Sequence, residues 1–279
     1  MREAIRSRQI PPIHYAASLA VAVLLVAGCS SGAPTTNPAP AASAALPSSQ
    51  GSAAVSSSSP VRVDKSLPPY APVIDPANFV AEITNAYFPL KPGTTYVIEG
   101  TRDGVPRRDE LTVTNETKTI MGVPCVVARD VSTSQNALVE KTTDWYAQDK
   151  DGNVWYFGED TAEYVNGKVS STAGTWLAGV DGALPGFIMK ATPTVGDEYR
   201  QEFRPGTAED YATVQQVDAS QTVPAGDFQK VVVTEDIDLL DRSKNEHKYY
   251  APGVGLVASE GMVSGHHEIR NLTSILTAK

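Results

Sequence analysis

Cysteine, histidine, basic charge and long apolar runs are all scarce in this sequence, and each scarcity closes off a class of protein. Two cysteines occur in 279 residues, Cys29 and Cys125. Cys125 lies in the apolar run Val123-Pro124-Cys125-Val126-Val127-Ala128, where a thiol acts as a small hydrophobe rather than as a nucleophile. Of the four histidines, His247, His266 and His267, beside Glu246 and Glu268, form the only metal-like set. Adjacent residues on a strand point to opposite faces, so His266 and His267 do not share an ion and no metal is expected. No Gly-x-Ser-x-Gly elbow, His-Glu-x-x-His pair or phosphate loop occurs, and Gly253-Val254-Gly255 follows Pro252 in a turn-like setting. Neither catalysis nor a cofactor is expected. Asp149-Lys150-Asp151-Gly152-Asn153 places glycine fourth rather than sixth and Asp160 twelfth, so it reads as a hairpin turn, not a calcium loop. Lys and Arg total 23 against 32 Asp and Glu; this acidic balance argues against nucleic acid and against lying flat on anionic lipid.

The chain starts with Arg2, Arg6 and Arg8, then an apolar run from Ala16 to Ala27. That run is shorter than the roughly 20 residues of a membrane-spanning helix and has the form of an export signal. Val26-Ala27-Gly28-Cys29 resembles the lipobox of bacterial lipoproteins. The resemblance implies cleavage before Cys29, whose thiol carries diacylglyceryl, palmitate-type chains, so that the partner is a membrane. Residues 1–28 are then the signal peptide and residues 29–69 a lipidated, disordered stalk rich in Ser, Ala and Pro. About 40 such residues have a mean span of roughly 35 Å. Loss of Arg2, Arg6, Arg8 and Glu3 leaves 20 basic and 31 acidic residues, a net charge of −11. The expected location is the cell envelope, on the outer face of the plasma membrane or on the outer membrane.

Residues 70–279 read as one β-rich globular domain. A short N-terminal helix is expected where Asp75 caps Pro76-Ala77-Asn78. After Thr94, short strands alternate with turn residues, and the clearest hairpin joins Asp144–Gln148 to Val154–Phe157 across Asp151-Gly152. Val154-Trp155-Tyr156-Phe157 is apolar on both faces, which predicts cover on both sides. The repeated short spacing predicts an all-β or β-rich fold, an antiparallel meander curled into a half-barrel or barrel. Gly174 to Ala191 is an apolar insertion, suited to a lid, a plug or a packed loop.

Trp145, Trp155, Tyr156 and Trp176, with Phe187 and Ile188 of the insertion, are the candidate ligand-binding residues. Asp144, Glu159, Asp160 and Glu163 place carboxylates at one end of the hairpin, and a general acid–base pair would also need a cleft. Asn85-Ala86-Tyr87-Phe88-Pro89-Leu90-Lys91-Pro92-Gly93-Thr94, Asp144–Asp149, Gly152–Thr161 and Tyr249–Val257 together resemble a family of uncharacterised bacterial secreted proteins and lipoproteins. The architecture has a looser similarity to lipoprotein carriers of the LolA type, which implies a lipid site on a concave sheet. Three readings follow. The first is a tethered, non-catalytic binding module for an amphipathic or apolar ligand, which a solid core without a cavity of a few hundred Å³ would exclude. The second is a structural or protein-interaction module displayed at the surface. The third is a carbohydrate-binding or hydrolytic domain, which requires exposed aromatic rings in a row.

Overall fold

The computed structural model describes residues 67, 69–263 and 265–277; the signal segment, Cys29 and all but the end of the stalk lie outside the described residues. Asp75 does cap Pro76-Ala77-Asn78, its carboxylate accepting from the Ala77 amide at 3.0 Å. The helix is a single 3-10 turn, and the chain passes directly into strand β1 (Phe79–Val80).

Two five-stranded meanders make up most of the domain. The first is β2 (Thr94–Arg102), β3 (Val105–Ile120), β4 (Val123–Ser134), β5 (Ala137–Asp149) and β6 (Val154–Val165). Between β6 and the second meander lie β7 (Lys168–Ser171), β8 (Trp176–Leu177), β9 (Leu184–Met189), β10 (Glu198–Arg200) and β11 (Glu202–Phe203). The second meander is β12 (Asp210–Val223), β13 (Gly226–Asp238), β14 (Asn245–Ala251), β15 (Gly255–Val263) and β16 (His266–Thr277). Antiparallel pairing of β16 with β2 joins the two meanders into one sheet.

Local turn chemistry drives this topology. Asp103-Gly104, Met121-Gly122, Gln135-Asn136 and Asn166-Gly167 each hold two consecutive residues at positive φ. That is the backbone of the tight hairpin turn whose twist matches the strands it joins. At the β5–β6 hairpin the Asp149 carboxylate accepts from the amide and side chain of Asn153 and from Trp155 Nε1, all within 2.9 Å. These donors hold Asp149 in a turn role.

The sheet curls into a nearly closed barrel. Its ends are β9 and β12, and Glu198–Phe203 spans the gap between them: β10 pairs with β12, and β11 pairs with β9. The wall at this seam is one segment that changes partner at Gln201. Gly186 fits it closely, since a Cβ there would lie 2.4 Å from the Gln201 carbonyl oxygen. The segment before β1 crosses the outside: Tyr70 donates its hydroxyl to the Pro185 carbonyl at 2.8 Å and sets its ring against Phe203.

The insertion Gly174 to Ala191 adds strands rather than a free lid. β8 and β9 both pair with β6. Trp155 and Phe157 pack on one face of β6 under Phe79, with ring centroids 6.2 and 5.6 Å from it. Tyr156 faces the other way and stacks on Tyr146 at 4.7 Å. The central hairpin is thus covered on both sides. Cys125 is buried and free, and burial pushes its thiol up to about 12.

Candidate ligand-binding lumen

Inward positions change character along each strand. On β16 they run Glu268, Arg270, Leu272; on β14, Glu246, Lys248, Tyr250; on β3, Asp109, Leu111, Val113; on β12, Asp210, Ala212, Val214. Along these strands charged side chains give way to apolar ones, so one end of the barrel interior is charged and the other mixes apolar side chains with acids. Two adjoining cavities occupy it, of about 380 Å³ at the apolar end and about 370 Å³ at the charged end. Glu140, Glu159, Lys248 and Arg270 line both.

The apolar mouth is built by the motif stretches. The Asn85 side chain donates to the carbonyls of Gly152 (2.8 Å) and Lys190 (3.1 Å) and accepts from the amides of Tyr87 and Phe88. Gln148 Oε1 accepts from the amides of Thr84 and Asn85 at 2.8 Å. The Gly253 amide donates to Ala86 O at 2.7 Å, which ties in the β14–β15 turn. This clamp fixes Phe88 over the lumen, edge-on to Tyr146 at 5.2 Å and 6.4 Å from Tyr250. Asn85–Leu90, the β5–β6 hairpin and Tyr249–Val257 are far apart in sequence, and they meet at this mouth.

The four cations that line the cavity at the charged end are each ion-paired. Lys248 Nζ lies 2.9 Å from Asp236 Oδ2 and 3.1 Å from Glu246 Oε1. Arg270 reaches Glu246 at 3.3 Å and Asp109 at 3.5 Å, and donates from Nε to Ser259 Oγ at 3.2 Å. Arg102 binds Glu268 at 2.8 Å, and Lys244 binds Asp238 at 2.9 Å. Burial opposes ionisation of Glu246, but Lys248 and Arg270 outweigh it and hold its carboxyl below the usual range. Backbone makes room for this network. A Cβ on Gly100, opposite Arg270, would fall within 1.7 Å of the Ile269 carbonyl oxygen, and one on Gly261, opposite Glu246 and Glu268, 2.2 Å from the Asn245 carbonyl oxygen.

The carboxylates of the facing wall lack such partners. Asp130, Glu140, Asp144 and Glu159, on β4, β5 and β6, line the cavity at the apolar end, and none forms an ion pair among the described residues. Asp144 and Glu159 are register partners across β5 and β6 and share one donor, the Tyr156 hydroxyl, at 2.5 and 3.3 Å. Burial raises Asp144 to about 7, with Glu140 adding repulsion against the Tyr156 hydrogen bond. Burial also raises Asp130 to about 7, with Asp109 and Asp144 adding to it and Arg270 opposing. Asp130 Oδ1 is buried with no hydrogen-bond partner. Glu159 is raised as well, chiefly by burial and then by Asp144 and Glu140.

The structure separates the candidate residues read from sequence. Ile188 lines the cavity at the apolar end, and Tyr156 stacks on Tyr146, which also lines it. Trp176 is buried edge-on to Tyr156 at 5.3 Å. Trp155 and Phe187 pack on each other at 3.9 Å, and Trp155 also packs on Phe79. Trp145 lies under the Lys118 ammonium, 3.4 Å from the ring centre. All three tryptophans are buried and present no exposed aromatic row. Asp144 and Glu159 do converge, while Asp160, the next residue along β6, is exposed on the opposite face. His266 and His267 are exposed and pair with Asp103 and Glu260. Among the described residues no cluster of three or more His, Cys, Asp or Glu side chains is arranged to hold a metal ion, and no helix is long and apolar enough to cross a membrane. The sequence reading missed Asp130, Glu140, Lys248 and Arg270; their period-two spacing with inward apolar neighbours was the available signal.

The class defined by these features is a nearly closed antiparallel β-barrel with a two-ended lumen. No protein-family model and no curated protein matches the chain, so its family resemblance rests on the motifs alone. A crystal structure described as a "putative lipoprotein" of Parabacteroides distasonis aligns at 17% identity over 69% of this chain and 99% of that one. Its TM-score is 0.39, too loose a superposition to carry that protein's properties across.

Proposed function

We propose that this chain is a lipid-anchored envelope protein whose barrel holds an amphipathic or apolar ligand without transforming it. On this reading Cys29 carries the lipid, residues 29–69 hold the domain off the membrane, and the lumen of residues 70–279 is the binding site. The observation that carries it is the pair of adjoining cavities, one with an apolar wall of Phe88, Leu90, Ile98, Tyr146, Ile188 and Tyr250 facing acids, the other lined mainly by charged groups. A cavity of a few hundred Å³ with an apolar wall and a few convergent polar groups is the ordinary form of a small-ligand site.

Native mass spectrometry of the full chain taken from its own host tests this. A co-purifying amphiphile, displaced when Ile188→Trp fills the apolar end, is the expected result. A chain that carries none and takes up none when offered total host lipid would refute it. The anchor is tested separately by Cys29→Ala, which moves the protein from the membrane to the soluble fraction.

A further inference from the structure

The amphipathic-ligand reading leaves the chemistry of the head group open, and the following rests on that reading. We infer that the lumen selects a cationic amphiphile, with its chain at the Phe88–Tyr250 end and an ammonium or guanidinium head against Asp130, Glu140, Asp144 and Glu159.

The argument is one of compensation. Lys248 is flanked by Asp236 and Glu246, and Arg270 by Glu246 and Asp109, so each already has two carboxylates as counter-charge. The four acids of the opposite wall have hydroxyl partners at most. Thr142 serves Glu140, and Tyr156 serves Asp144 and Glu159. Asp130 also lines the cavity, and its Oδ1 is buried with no hydrogen-bond partner. A buried acceptor without a donor costs about 1–3 kcal/mol, more if charged, and an alkylammonium brings three donors with the complementary charge. Further acids, Glu202 and Asp210, line the neighbouring cavity and add to the negative field.

Protonation is the alternative compensation for an empty site. The groups facing Asp130 are Asp109 on β3, Glu140 and Asp144 on β5 and Arg270 on β16; Asp144 and Glu159 face each other, Tyr156 and Glu140. Acids outnumber cations in this set, and an entering cation takes the place of protons on Asp130, Asp144 and Glu159. An anionic head meets these acids, and every cation lining the two cavities is already matched by a carboxylate.

The test is titration calorimetry on the full chain carrying Cys29→Ser, which needs no detergent. Three probes of equal chain length are compared below their micelle concentrations at pH 7: dodecylammonium, dodecyl maltoside and dodecanoate. Dodecylammonium is expected to bind at least tenfold more tightly than either of the others. Asp130→Asn combined with Glu159→Gln should weaken it about tenfold and leave dodecyl maltoside unchanged. If this variant does not fold, the order of the three probes on the parent still decides. Equal affinities, or a preference for dodecanoate, overturn the cationic assignment and leave the amphipathic-ligand reading standing. No binding of any of the three overturns both.

Discussion

The barrel should lose stability as pH rises from 5 to 8, the reverse of a protein held by ionised surface carboxylates. Asp144 is the clearest cause: its ordinary value is 3.8, and burial lifts it to about 7. Below 3.8 both folded and unfolded chains hold the proton, and its stabilising effect is fully present. Between 3.8 and about 7 the unfolded chain gives the proton up while the folded chain keeps it, so each step in pH favours unfolding. Above about 7 the folded chain bears the whole cost of a buried charge. One pH unit is worth at most about 1.4 kcal/mol, and since half the folded chains have lost the proton by pH 7, Asp144 alone accounts for a loss of about 2 kcal/mol between pH 5 and pH 7. Asp130 is raised to the same extent and acts in the same window. Repulsion between the two couples their titrations, so their losses do not simply add. Glu246 acts with the opposite sign only below about pH 4.5, so a scan from pH 5 isolates the buried acids. Urea titration followed by tryptophan fluorescence is the assay. At about 2 kcal/mol per molar, the midpoint should fall by about 1 M or more across the scan, and Asp144→Asn should reduce the slope. A midpoint that is flat or rises from pH 5 to 8, or a slope that Asp144→Asn leaves undiminished, would refute the reasoning.

Three further outcomes follow from the same interior. Arg270→Met leaves Glu246, Asp109 and Glu268 without their shared cation and should cost about 3–5 kcal/mol at pH 7, less at pH 4.5, by urea titration at the two pH values. Gly100→Ala forces a methyl group onto the Ile269 carbonyl across β2 and β16; thermal unfolding should register a loss of about 1–3 kcal/mol or more, while Gly104→Ala, in open space at the turn, affects only that turn. Cys125, buried and with its thiol pushed up to about 12, should react with Ellman's reagent only after unfolding; rapid reaction of the native chain would show that the β3–β4 wall opens.

The β class, the meander and the central hairpin were legible because they depend on local signals. Asp103-Gly104 and Asp151-Gly152 announce turns, and Val154–Phe157 announces a strand covered on both faces. Met121-Gly122 and Gln135-Asn136 adopt the same turn backbone with less distinctive residues. Strand length was harder to read. β3 continues to Ile120 through Asn115-Glu116-Thr117, and β12 and β13 run on through Ser220–Val223 and Gly226–Gln229. There the strands are largely solvated, and hydrophobic patterning has nothing to mark. The lumen was hidden for a different reason. Period two tells which residues share a face but not which face is inside. Glu246-x-Lys248 and Glu268-x-Arg270 look like solvated edges until the sheet closes around them. Trp145, Trp155 and Trp176 drew notice by their size, and size placed them in packing layers, with the interior left to acids and tyrosines. The seam depends on pairings between residues far apart in sequence, which no local pattern carries.

That seam has a mechanical consequence. Tension applied along the chain from residue 67 arrives at Tyr70, whose hydroxyl holds the Pro185 carbonyl of β9 and whose ring rests on Phe203 of β11. The load then falls on strands of six and two residues, while the ladders between the long strands of the two meanders lie outside its path. Short ladders with few hydrogen bonds yield before long ones. A pull on the N-terminal side is therefore felt first at the barrel's closure, through one hydrogen bond and one ring contact, before it reaches β1 on β5.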